Sequence, residues 1–86
     1  MTGHLRKRSF ALAGHRTSVA LEGAFWSVLE HLARREAMSL TALIASVDTK
    51  RSAGGLPLAS ALRVFALEAA IAGRAPPPPP PASEPA

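Results

Sequence analysis

Cysteine and tyrosine are absent from this chain of 86 residues, and aromatic residues make up only 5% of it. The lack of cysteine excludes a disulfide framework, thiolate metal sites and a cysteine nucleophile. No apolar run approaches the roughly 18 residues that a membrane-spanning helix requires. The three histidines lie too far apart to share one helix face, so we expect neither a metal site nor a cofactor.

Acidic residues are missing from the first 21 positions, which contain Arg6, Lys7, Arg8 and Arg16. The other six basic residues and all six acidic residues follow and cancel, so the net charge of +4 lies entirely in this segment. Such local charge favours a polyanion partner, either nucleic acid or an anionic membrane surface. The sequence contains no plausible combination of a general base, a nucleophile and a group to orient them, so we do not expect an enzyme.

The length leaves room for one small domain. We predict a disordered basic arm over 1–8, a domain over 9–72 and a disordered proline-rich tail over 73–86. Six consecutive prolines in that tail favour a polyproline II conformation, which cannot enter a helix or a sheet. A signal peptide is disfavoured because the apolar run after the basic arm is too short, and we interpret the protein as cytoplasmic.

Hydrophobic residues alternate between positions 9 and 21, but the alternation changes phase midway. Phe10 and Leu12 have one parity, whereas Val19 and Leu21 have the other. A glycine at the change of phase predicts a bulge, bend or turn between two extended pieces. The second piece, 16–21, has the cleaner strand pattern.

Three helices follow in the sequence pattern. Apolar residues at helical spacing predict a helix over 23–36, and Ser39 is a good N-cap for a second one. A third is predicted between Pro57 and Gly73 and is apolar nearly all round. A helix that is apolar on two sides is normally buried on two sides, and so small a chain offers little cover. We therefore expect an oligomer.

Pairing of the 16–21 strands of two chains would satisfy their backbone edges and leave Arg16, Ser18 and Ala20 on the outer face. A two-stranded ribbon fits the major groove of DNA, where arginine can bond guanine and serine can reach several base edges. Phosphate contacts are expected from the basic arm and from the start of the second helix, whose N–H groups are free. The candidates are Arg6, Lys7, Arg8, Ser39, Leu40 and Thr41.

The strings RTSVALE at 16–22 and MSLTALI at 38–44, with the helix between them, resemble the ribbon-helix-helix family of Arc and MetJ type. The wider run over about 6–72 resembles a small, poorly characterised bacterial branch with an extra C-terminal helix. The resemblance implies a mainly α fold with one N-terminal strand, or that strand preceded by a second extended segment, and then three helices.

The resemblance further implies an intertwined homodimer, or a higher oligomer such as a tetramer, acting as a DNA-binding transcriptional regulator or repressor. Arg16, Ser18 and Ala20 would fall on base-reading positions. The shared dimer core would contain Val19, Leu21, Phe25, Leu29, Leu32, Leu43, Ile44 and Val47.

An alternative of the same fold is a protein-assembly or antitoxin-like module without DNA binding. A protein partner would then engage the helix over 57–72 or the proline tail, and no membrane partner is expected. The extra segment 9–13 is the open question, because it could cover the ribbon and abolish DNA binding.

Overall fold

The computed structural model describes residues 4–51 and 55–75. Two strands come first, β1 (Leu5–Leu12) and β2 (His15–Glu22), and three helices follow. The helices are α1 (Gly23–Arg35), α2 (Leu40–Arg51) and α3 (Leu58–Ile71). In the described part of the chain, no helix is long and apolar enough to cross a membrane.

The change of alternation phase corresponds to a tight hairpin turn. β1 and β2 pair antiparallel from Leu12↔His15 out to Leu5↔Glu22. The two residues between them, Ala13 and Gly14, have φ of 51° and 81°, as the two-residue turns that match strand twist require. The predicted second extended segment is therefore a full strand, and it lies beside β2 rather than over its outer face.

β1 begins earlier than the sequence pattern indicates. Residues 5–8 belong to the strand, so the prediction of a disordered arm over 1–8 is wrong for these residues. The Nε1 of Trp26 donates a hydrogen bond of 2.8 Å to the carbonyl of Arg6, and Arg8 forms a 2.7 Å ion pair with Glu30. These contacts to α1 hold a segment that has no hydrophobic alternation of its own. Residues 1–3 lie outside the described residues.

The hydrophobic core closes within a single chain. One face of the hairpin, all three helices and Ala75 contribute to one cluster. Of the eight residues predicted for a shared dimer core, seven are buried against their own chain and Phe25 is half-buried. α3 supplies much of this cover, because Leu62, Ala66 and Ala69 have no exposed surface. The expectation that α3 is buried on two sides is not met within the chain.

The helix ends follow the predicted signals. Ser39 Oγ accepts a hydrogen bond of 3.0 Å from the backbone N–H of Ala42, which confirms the N-cap. α1 ends just before Ala37, whose φ of 55° is the left-handed conformation common after helices. The domain extends slightly beyond its predicted end, since Ala75 is buried. The six prolines lie outside the described residues.

Glu22 connects the end of β2 to α3. Its Oε1 accepts a 3.0 Å hydrogen bond from Nε of Arg63, and this bond is the main reason why the pKa of Glu22 lies below its ordinary value of 4.5. A lowered pKa in the folded state stabilises the protein above the ordinary pKa, and that contribution is lost as the pH falls through the lowered value.

We therefore expect Glu22→Gln to lower the free energy of unfolding at neutral pH by less than about 1 kcal/mol, because the pair is partly exposed. The difference from the wild type should vanish in acid. Urea unfolding at pH 7 and at pH 3 tests this prediction. A difference that stays constant between the two pH values would contradict it.

Candidate nucleic-acid interface

The hairpin turns one face away from the helices. Strand alternation and the observed register place eight side chains on it, with Leu5 and Glu22 at the strand ends. We call the six short or basic side chains between these ends the ribbon face. Five of the six residues are exposed and one, Ala20, is half-buried. The ribbon face consists of Lys7, Ser9 and Ala11 from β1 and Arg16, Ser18 and Ala20 from β2.

Two hydroxyls lie at the centre of the ribbon face. Ser9 is paired with Ser18, and their Oγ atoms are 3.0 Å apart, within hydrogen-bonding distance. Each hydroxyl retains capacity for a further partner, since a serine has one donor and two acceptor positions. Because the other side chains of the ribbon face are small, the long side chains of Lys7 and Arg16 project furthest from the sheet.

The three residues predicted to face DNA bases are thus brought together. Arg16, Ser18 and Ala20 follow one another along the outer face of β2, as their spacing requires. Each lies opposite a β1 residue that sequence reasoning did not assign to the base-facing set. A two-residue turn at positions 13 and 14 determines which residues of the two strands are paired, and this would have placed the three β1 residues on the same face.

The predicted basic cluster is divided between the two faces. Lys7 lies on the ribbon face, whereas Arg6 and Arg8 have the parity of the core side. The guanidinium of Arg8 is 5.1 Å from the centre of the Trp26 ring and is paired with Glu30. Of the three residues predicted as phosphate contacts, only Lys7 shares a face with Arg16, and the phosphate role of all three stays a prediction.

The start of α2 is a separate location. Ser39 and Thr41 are exposed, whereas Leu40 is half-buried and packs against the core. The Ser39 hydroxyl is already engaged as the helix cap. The backbone N–H groups of Leu40 and Thr41 have no partner within the helix by its geometry, so they remain the donors that an anion could use.

β2 has a strand neighbour on only one side. Among the described residues the sheet contains two strands, and β1 occupies one edge of β2. In an antiparallel pair, backbone groups alternate between pointing to the partner and pointing away. About half of the N–H and C=O groups of β2 therefore face outward along its second edge. Such an edge is a template for pairing with another strand.

These features define a chain built from a β-ribbon and a helical bundle, and comparison with known proteins agrees. The profile of a family described as "Ribbon-helix-helix domain" matches residues 5–70. The chain belongs to the ribbon-helix-helix family, which confirms the resemblance seen in the sequence. That family is typically regulatory rather than enzymatic, and its members usually dimerise and bind DNA.

Among solved structures, the chain is similar to an uncharacterized protein from Bordetella pertussis Tohama I. The sequences are 38% identical, the TM-score is 0.70, and the match covers 84% of this chain. It covers 62% of the other chain, so this protein spans less than two thirds of that relative's length. No curated protein matches this chain.

Proposed function

We propose that this protein is a DNA-binding transcriptional regulator that acts as a homodimer and reads the major groove with its ribbon face. The observation that carries the proposal is the placement of Arg16 and Ser18 on an exposed strand face together with Lys7. An arginine can bond guanine through two hydrogen bonds, and serine can contact several base edges. The outward methyl of Ala20 suits the methyl group of thymine.

Dimerisation in this proposal uses the free edge of β2. Antiparallel pairing with a second copy gives a sheet ordered β1, β2, β2, β1, with the two copies of β2 at its centre. The unpaired backbone groups of that edge then find partners, which is the general requirement for strand edges. The ribbon faces of both copies become one continuous surface, since β1 lies at the side of β2.

Because of the width of this sheet, its central and outer strands would contact different parts of the DNA. Four strands spaced by about 4.8 Å place the outermost axes about 14 Å apart. The major groove is only about 12 Å wide, so the sheet as a whole cannot sink to its floor. The two central strands would reach the bases with Arg16 and Ser18. The outer strands would lie above the groove walls, where Lys7 meets phosphates.

Salt dependence provides the test of this proposal. Lys7 is the cation that meets phosphates in this arrangement, so a dimer brings two such contacts to the DNA. If each displaces one condensed counterion, log K should fall with log salt with a slope of about −1.8. We expect Arg16→Ala to leave that slope nearly unchanged, because Arg16 contacts bases. It should weaken binding at a preferred site about 30-fold or more, because the dimer loses two bidentate base contacts of about 1–3 kcal/mol each.

Fluorescence anisotropy with labelled genomic duplexes between about 50 and 200 mM salt measures both quantities. Arg34→Ala is the matched control, since it removes an equal charge from an exposed position of α1 away from the ribbon face. It should change affinity less than twofold. The absence of duplex binding at the lowest salt, or an equal loss in the control, would refute the proposal.

A protein-assembly module is the second candidate, and the exposed apolar side chains of α3 favour it. Deleting α3 is unsuitable as a test, because its opposite side is part of the core. Surface substitutions such as Leu67→Glu are suitable. A partner lost from a pull-down by that substitution, together with undetectable DNA binding, would support the module over the regulator.

A further inference from the structure

We infer that the outer side of α3 is a second self-association surface, which joins two copies through a parallel pair of α3 helices. Five large hydrophobic residues of the described chain are exposed, and three of them lie on α3. They are Val64, Leu67 and Ile71, which are 46%, 50% and 77% exposed. We call these three residues the outer seam.

The spacing of the outer seam is that of a two-stranded coiled coil. Steps of three and then four residues place Val64, Leu67 and Ile71 at consecutive a, d and a positions of a heptad. This stripe runs along the side of α3 opposite Leu62 and Ala69, which face the core. β-Branched residues at a and leucine at d favour two parallel helices. The seam therefore fits a second copy of itself.

Charge determines the orientation of the pair. In this heptad Arg63 occupies a g position and Glu68 the following e position. In a parallel pair, g of one helix meets the next e of the other, so Arg63 meets Glu68 of the second copy. An antiparallel pair would bring like charges together. Arg63 uses Nε to bond Glu22, which leaves its other guanidinium donors available.

The seam is short, but α3 does not depend on it for folding. An isolated helix of the 14 residues of α3 would be marginal in water. Packing of its inner side against the core already fixes the helix, so association need not supply the cost of forming it. Pairing through α3 leaves the free edge of β2 untouched. A chain that uses both surfaces can form an assembly twice the size of one that uses the ribbon edge alone.

Sedimentation velocity of the full chain tests this contact. Leu67→Glu introduces a charge at the buried d position of the pair, and we expect the mass of the largest species to fall by at least half. Ser27→Glu, at an exposed position of α1, is the control and should leave the mass unchanged. Circular dichroism verifies that both variants remain folded. An unchanged mass in Leu67→Glu would overturn the inference.

Disulfide cross-linking tests the orientation of the α3 pair. The chain has no cysteine, so an introduced cysteine can react only with its counterpart in another copy. Ile71→Cys should form a covalent dimer on mild oxidation, since equivalent a positions meet in a parallel pair. Cross-linking no stronger than that of Ser27→Cys would overturn the inference, and so would preferential pairing of Val64→Cys with Ile71→Cys. The ribbon face plays no part in these experiments, so failure to bind DNA would leave the contact standing.

Discussion

Replacing Trp26 by alanine is expected to lower the free energy of unfolding by about 3–5 kcal/mol, the usual cost of removing a large buried aromatic residue. Trp26 is only 4% exposed and its ring lies 5.9 Å from that of Phe10. Its Nε1 donates to the carbonyl of Arg6, and the guanidinium of Arg8 lies over its ring. The residue therefore joins α1 to β1 as well as filling the core.

Urea unfolding followed by circular dichroism measures the loss, and Trp26→Phe is the matched control. Phenylalanine keeps most of the apolar contact but cannot donate the hydrogen bond, so we expect a cost of about 1 kcal/mol. In the Trp26→Ala variant, amide hydrogen exchange should accelerate relative to the wild type more in β1 residues 5–8 than in β2, because that end of β1 depends on α1. Equal acceleration in both strands would show that Trp26 has no special role in holding β1.

Leu62→Ala is expected to destabilise the protein by about 2–5 kcal/mol, because it leaves a cavity in the core. Leu62 has no exposed surface, and it lies in the middle of α3 against the other elements. The effect would establish that the third helix, an addition to the minimal ribbon-helix-helix fold, is an integral part of this domain.

Leu67→Ala is the control on the same helix, with the same change of side chain at a half-exposed position. A surface substitution of this kind usually changes stability by less than about 0.5 kcal/mol. The two variants should be compared by chemical unfolding at low protein concentration, where association through the outer seam contributes least. Equal destabilisation would mean that the two sides of α3 are not distinguished as the structure describes.

The additional strand β1 widens the outer surface of the ribbon and does not cover it. β1 extends the outer surface by Lys7 and Ser9. On its other face, the guanidinium of Arg8 pairs with Glu30 of α1, and the carbonyl of Arg6 accepts a hydrogen bond from Trp26. The positive charge of the N-terminal segment is thereby divided. Lys7 and Arg16 face outward, and the ion pair with Glu30 offsets the charge of Arg8.

Sequence patterns located most of the local structure. The helix predicted over 23–36 corresponds to Gly23–Arg35, and the Ser39 cap is present. These features are readable because caps, glycines and hydrophobic spacing act within a few residues. The outward placement of Arg16, Ser18 and Ala20 also follows from strand alternation, which has a fixed period of two.

The strand over 5–8 was not predictable in the same way. This stretch has no apolar alternation, and the side chains of α1 that contact it lie 20 and 22 positions away along the chain. The side of the hairpin on which each basic residue lies therefore depended on the hairpin register. A count of charges could locate the positive segment but could not divide it between two faces.

By itself, the sequence determined the family, the helices and the outward positions of β2, because each depends on local periodicity and capping. Only the tertiary structure decided that β1 pairs beside β2, that Arg8 is paired with Glu30, and that one side of α3 remains exposed. The two sides of α3 are similarly apolar in composition. Apolar composition alone therefore does not identify the core side, and in the structure packing against α1, α2 and β2 buries Leu62, Ala66 and Ala69.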